Sequence, residues 1–265
     1  MSGWAGAALL GLVVGAVTGW ACPLLIARIP EPVPEPDPES DPGSDPDPDS
    51  GSESGGAPDS EPAVTAEPAK ELYADIAALP GLAWKCALAS AVVAAVLGAS
   101  VGWDWSLLFL LPLAPVGVAL GLVDWRTRLL PTRVVLPTHG VVLVLAGLAA
   151  VLEHDGDAYV RALVAMLVLR SVFWVLWWIH SAGMGFGDVR LSALLAFALG
   201  YLGWPQALVG IYAGFLLFVV PGILVAVVRR DRRFLRTAIP FGPFLLGGAL
   251  IGVTVGPDLV RSLGY

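Results

Sequence analysis

Hydrophobic residues along this chain gather into long unbroken runs, not into the alternation of half-buried strands or the one-sided stripe of soluble helices. Eight runs stand out: Gly3 to Ala27, Leu82 to Val101, Ser106 to Val123, Val134 to Leu152, Ala158 to Ile179, Leu191 to Gly203, Gln206 to Val228 and Ile239 to Pro257. A helix needs about 20 apolar residues to cross the hydrocarbon core. The pattern therefore predicts an all-α integral membrane protein, a polytopic bundle of about eight transmembrane helices. The sixth run falls short on length alone. Ahead of the second, KELYADIAALPGLAWK sets Leu72, Ile76 and Leu79 at helical spacing, which predicts a short interfacial helix leading into that span.

One stretch breaks the pattern. Between Pro30 and Glu71 stand 13 acidic residues against one base, Lys70, with 11 of the 22 prolines and almost no large apolar side chain. Such a segment cannot bury enough surface to offset the entropy of ordering, so it is predicted to be a disordered, self-repelling tether rich in polyproline II conformation. It reads as a solvated spacer; the other reading is an acidic lure for a basic partner. The chain thus divides into a first transmembrane helix at 1–29, a disordered acidic Pro-rich linker at 30–71, and a seven-helix domain at 72–265.

Composition agrees with a bilayer setting. The chain is 57% hydrophobic and only 14% charged, with mean hydropathy +0.77, far too little polar surface to cover a water-facing fold. The net charge of −7 is unevenly spread: −12 belongs to the acidic stretch, and 14 bases against 9 acids leave +5 elsewhere. Nothing suggests a nucleic-acid partner. Cys22 and Cys86 offer neither a disulfide framework nor zinc ligands and read as small buried hydrophobes. The first run has no basic residue ahead of it and a long apolar core, unlike a secretory signal.

Orientation follows from Lys and Arg in the short loops. Arg126, Arg128 and Arg133 crowd one loop; Arg229, Arg230, Arg232, Arg233 and Arg236 crowd another. If both are cytoplasmic, an even number of crossings separates them, and counting Leu191 to Gly203 as a span makes four. Parity thereby supports a segment that length leaves open. It places the acidic insert and Asp188 in the cytoplasm, and the EHDGDAY loop and both termini outside. Trp174, Trp177 and Trp178 cluster near the cytoplasmic end of their span, as an aromatic belt does.

Two carboxylates sit at the edge of hydrocarbon on that same side. Asp124 closes the third span in GLVDWRTRLLP, and Asp188 precedes the sixth in SAGMGFGDVRL. Facing carboxylates cannot both ionise freely, and a pair sharing one proton can serve as base and acid in water attack on a peptide carbonyl. From spacing alone, each Asp equally reads as a helix cap or as a partner for a neighbouring Arg.

The motifs carry a resemblance. GMGFGD at 183–188, followed by VRL, resembles the glycine–aspartate signature of type IV prepilin peptidases, membrane aspartic peptidases of the GxGD type. DWRTRLLP, with Asp124 seven residues before Pro131, is similar to that family's other aspartate motif. IPFGPFLLGG at 239–248 resembles the proline and glycine turn that opens its last helix, and GLVVGAVTGWACPLLIARIP its first helix. The resemblance implies that 72–265 is a catalytic domain in a bacterial inner membrane. It implies Asp124 and Asp188 as the catalytic pair, prepilins or pseudopilins as substrates, and cleavage of a basic leader at the cytoplasmic face.

Gly183, Gly185 and Gly187 then admit an extended substrate strand or act only as a hinge, and Arg190 either tunes the acid or pairs with lipid phosphate. Pro240, Gly242 and Pro243 shape the site in the same reading. Longer relatives carry two CxxC pairs that bind zinc and also N-methylate the product. Here no cysteine lies between 23 and 85, so no structural zinc and no other cofactor is expected, with S-adenosylmethionine entering only if methyl transfer occurs. Thr132 stands where the family often has an acid. Intramembrane Asp and Arg also fit a proton-coupled transporter, but no internal repeat supports one. Arg170 in mid-span calls for a partner or a water-filled cleft, while His180 lies three residues before the glycine motif. His139 and His154 have no ligand-like spacing.

Overall fold

The computed structural model describes residues 3–31, 71–179, 184–229 and 240–262. Among these residues every regular element is an α-helix: α1 (Gly3–Gly19), α2 (Cys22–Ala27), α3 (Tyr73–Ala77), α4 (Leu82–Val101), α5 (Leu107–Thr127), α6 (Thr132–Glu153), α7 (Gly156–Ile179), α8 (Phe186–Leu202), α9 (Trp204–Arg229) and α10 (Gly242–Ser262). Each of the eight apolar runs is thus helical. Six, α4 to α7 with α9 and α10, are long and apolar enough to cross a bilayer, while α1 and α8 have 17 residues each. The protein is a multi-pass membrane protein.

The first run is divided, where a single span is expected. Pro23 cannot donate a backbone hydrogen bond, and its ring clashes with the carbonyl four residues back, at Gly19, where α1 ends. The helix restarts as α2 with that proline in its first turn. The predicted interfacial helix is α3, anchored by buried Tyr73 and Ile76. Residues on either side of the acidic insert meet the bundle here. Ala74 N–H donates to Glu31 Oε1 at 3.0 Å, and Glu71 pairs with Arg126 at 3.0 Å. The insert at 32–70 lies outside the described residues, as do Arg230, Arg232, Arg233 and Arg236.

Lipid tails are as apolar as leucine, so helices associate in a bilayer by close van der Waals packing and not by hiding from solvent. The chain supplies small residues for this. Along α1, Gly11 and Gly15 lie against the backbone of Ala94 and Ser90 in α4, while Gly98 lies against that of Ala7. A methyl group at Gly11 or Gly98 runs into the opposing carbonyl. The α9–α10 pair repeats the device with Gly210 and Gly214 against Gly248 and Gly252.

The innermost element is α8, touched by α6, α7, α9 and α10. From Asp188 to Tyr201, every residue except Arg190 is buried. Its far end is held by Arg161, whose guanidinium donates to the carbonyls of Gly200 (2.9 Å) and Tyr201 (2.6 Å), and by the Tyr201 hydroxyl, which donates to Glu153 (2.8 Å). The outer faces of α6, α7 and α9 are exposed Leu, Val and Ile, a surface suited to hydrocarbon. Trp174 and Trp178 are exposed near the end of α7.

Candidate active site

Asp124 projects from the last turn of α5 and is 3% exposed. The helix ends where Arg128 turns into the left-handed region at φ 56°, its N–H donating to the Asp124 carbonyl at 2.8 Å. Pro131 then fixes the entry to α6. In that connection Leu130 rests on Gly187, where a Cβ would stand 2.7 Å from the Leu130 Cβ. Gly187 thus lets the α5–α6 loop lie against the start of α8.

Asp188 sits in the first turn of α8 and is 7% exposed. Gly185 takes the N-cap position in extended conformation, and Asp188 follows three residues later, where a carboxylate can reach back to the cap. Its Oδ2 turns toward Gly185, while Oδ1 is buried with no hydrogen-bond partner. Capping and a free acceptor thus occupy different oxygens of one group. Asp188 lies within electrostatic reach of Asp124, so folding joins two acids 64 residues apart.

A third element completes the site. The Gly242 N–H, at the start of α10, donates to Asp124 Oδ2 at 2.9 Å. A Cβ there would sit 2.7 Å from the same oxygen, so only glycine permits the contact without displacing the carboxylate. The positive end of the α10 dipole also faces that group. Pro240 is half-buried before it, and Pro243 follows in the first turn. Arg190 donates to Thr132 Oγ1 and stacks over the Phe186 ring at 4.7 Å, tying α8 to the start of α6.

A cavity of about 270 Å³ lies between α4, α5, α8 and α10, lined by apolar residues throughout; neither acid lines it, and it comes nearest Asp124 at Gly121, Pro243 and Leu246. Phe241 stacks with Phe173, Phe215 and Phe218 at centroid distances of 6.1, 5.3 and 5.2 Å. Sequence reasoning missed this aromatic platform. Its one available signal was the pair of phenylalanines bracketing Gly242 and Pro243 in FGPF.

Not every predicted residue joins the site. Gly183 and His180 lie outside the described residues. His139 is on α6 with Nε2 3.1 Å from Met166 Sδ, His154 closes α6, and Arg170 is exposed on α7. Cys22 and Cys86 are free and buried, and Cys22 donates to the Pro115 carbonyl at 3.3 Å. Among the described residues no group of three or more His, Cys, Asp or Glu is placed to hold a metal ion.

Both acids and the α5–α6 loop fall within residues 111–228, which match the model of the type IV leader peptidase family. Over these residues the chain belongs to the type IV leader peptidase family. A relative in Pseudomonas putida, a prepilin leader peptidase/N-methyltransferase, is 36% identical over 180 residues, 67% of this chain and 58% of that protein. Proteins of the same description in Aeromonas salmonicida (strain A449) and Escherichia coli (strain K12) are 30% identical over 177 residues and 34% identical over 139. These alignments cover 66% and 51% of this chain, and 58% of each relative. The chain therefore spans less than two thirds of the length of these relatives. No solved structure matches it. In this member of the leader peptidase family, Gly242 lies beyond the matched residues, so α10 adds its contact to Asp124 from outside the family segment.

Proposed function

We propose that this protein is an aspartic endopeptidase that removes the leader of type IV prepilins or pseudopilins at the cytoplasmic face of a bacterial inner membrane. The observation that carries this reading is the meeting of two buried carboxylates, Asp124 and Asp188, from separate helices of a leader peptidase segment. The Gly242 N–H stabilises negative charge on Asp124, which suits that group to act as base. Asp188 carries the proton. Asp124 takes a proton from water as the water oxygen bonds to the scissile carbonyl carbon, and Asp188 donates to the carbonyl oxygen. The tetrahedral diol then collapses: Asp124 passes its proton to the leaving nitrogen, the C–N bond breaks, and Asp188 recovers a proton from the diol hydroxyl.

The surroundings suit a substrate whose cleaved bond borders an apolar helix. The cavity whose end lies one turn from Asp124 is apolar, and Gly185 puts no side chain of its own in the approach to Asp188. Co-expression with candidate prepilins from the same genome, scored by the mobility shift of leader removal, tests the reading. Asp124→Asn and Asp188→Asn should each abolish the shift while the protein stays in the membrane, and cleavage surviving either change sinks the proposed dyad.

A second reading adds N-methylation of the new amino terminus, because the relatives are named as N-methyltransferases as well. The apolar lining of the cavity does not fit the charged methionyl and sulfonium groups of S-adenosylmethionine, and no step is assigned to it. Transfer of a labelled methyl group from S-adenosylmethionine to cleaved product decides between the two.

A further inference from the structure

The two cysteines of the chain stand 64 residues apart, on either side of the acidic insert, yet folding sets them together. Cys22 opens α2 and Cys86 lies in the second turn of α4, with 2% and 3% of their surface exposed. Gly19 explains the approach. A Cβ there would stand 2.8 Å from the Cys86 carbonyl oxygen and 2.7 Å from Ser90 Oγ, so the end of α1 lies directly on this part of α4. Three residues on, Cys22 is carried onto the same surface, and the two thiols come within hydrogen-bond reach of one another.

The surroundings suit sulfur chemistry more than plain packing. Ser90 is fully buried beside the thiols, and its hydroxyl has no hydrogen-bond partner. Such an orphan is costly, and its O–H is a donor for a thiolate or for an oxygen bound to sulfur. Cys22 itself donates to the Pro115 carbonyl of α5 at 3.3 Å. A disulfide requires the sulfurs at about 2.05 Å. Helix α2 is six residues long and separated from α1 by Trp20 and Ala21, so it can turn to close that gap without moving a long span.

We propose that Cys22 and Cys86 form a redox modification site, oxidised by hydrogen peroxide to a disulfide that ties α2 to α4. The burial of both sulfurs calls for an oxidant that is small and uncharged. One thiol, as thiolate, attacks a peroxide oxygen: the S–O bond forms, the O–O bond breaks, and the departing hydroxide takes up a proton as water. The other sulfur then attacks the sulfenic acid, forming the S–S bond and releasing a second water. Two electrons pass from sulfur to peroxide, and both thiol protons end in the waters. A thiol reductant reverses the link by exchange. The pair is separate from Asp124 and Asp188, and the inference does not depend on the peptidase reading.

The test uses the full-length protein in phosphatidylcholine vesicles treated with hydrogen peroxide. Its intact mass should fall by two hydrogens, and neither cysteine should be alkylated after unfolding. With a protease recognition sequence placed within residues 32–70, the two fragments should stay joined on a non-reducing gel after cleavage and part on reduction. Cys22→Ser and Cys86→Ser should each abolish the link, with membrane insertion checked; the unaltered protein decides by mass and alkylation if a variant fails to fold. Two thiols still open to alkylation overturn the proposal. So do sulfinic acids in place of the link, a link between two copies of the chain, and a link that forms only once detergent has unfolded the protein.

Discussion

Helices α7 and α8 follow one another in the chain, both apolar and both carrying charge, yet they meet opposite surroundings. In α7 only five of 24 residues are buried, and in α8 thirteen of 17. Hydrophobicity does not separate them, because a lipid tail and a leucine core accept the same side chains. Size does. The buried stripe of α7 is Ala158, Ala162, Ala165, Leu169 and Phe173, small where it meets α8 at Gly200. The charges follow the same division: Asp188 is enclosed beside Asp124 with Gly185 at its cap, whereas Arg170 faces outward with no ion pair among the described residues.

Substitutions at the enclosed charges break this contrast most severely. Under the proposed mechanism Asp188→Asn and Asp124→Asn each remove a proton-transfer group, and leader cleavage by purified protein should then fall by about 10²- to 10⁴-fold or more. Gly242→Ala comes next, since its methyl group must push the Asp124 carboxylate aside. A displacement of that kind should lower cleavage by about 10²-fold while leaving thermal stability nearly unchanged. A test of packing rather than chemistry sets Ala196→Leu on α8 against Leu167→Ala on α7, positions that are 0% and 62% exposed. Overfilling the first should cost about 1–3 kcal/mol in detergent unfolding, while trimming the second should stay within about 0.5 kcal/mol. Equal costs would show that α8 is no more enclosed than α7. The smallest effect is expected from deleting Pro32 to Pro68, which should leave cleavage largely intact if the insert is a spacer; loss of activity with normal insertion favours the lure.

Much of this was legible in the chain. All eight apolar runs became helices, and the short segment that parity supported is α8. The aspartates announced themselves as carboxylates at the edges of apolar runs within recognisable motifs. What escaped notice depends on contacts between distant segments. The hydrogen bond from Gly242 to Asp124 spans 118 residues, and the packing of Gly187 on Leu130 needs the α5–α6 loop folded back. Arg190 shows the limit well: beside Asp188 in sequence, its guanidinium reaches Thr132 instead.

The sequence by itself determined the membrane setting, which segments become apolar helices and the presence of two acids at their edges. Those properties reside in the free energy of transferring each segment into hydrocarbon and in the chemistry of single side chains. Only the tertiary structure decided which helix lies innermost, which glycine contacts which carboxylate, and which charge is left facing the bilayer. Once a segment is in lipid, its polarity no longer says which way it faces, and close packing of small residues settles the arrangement.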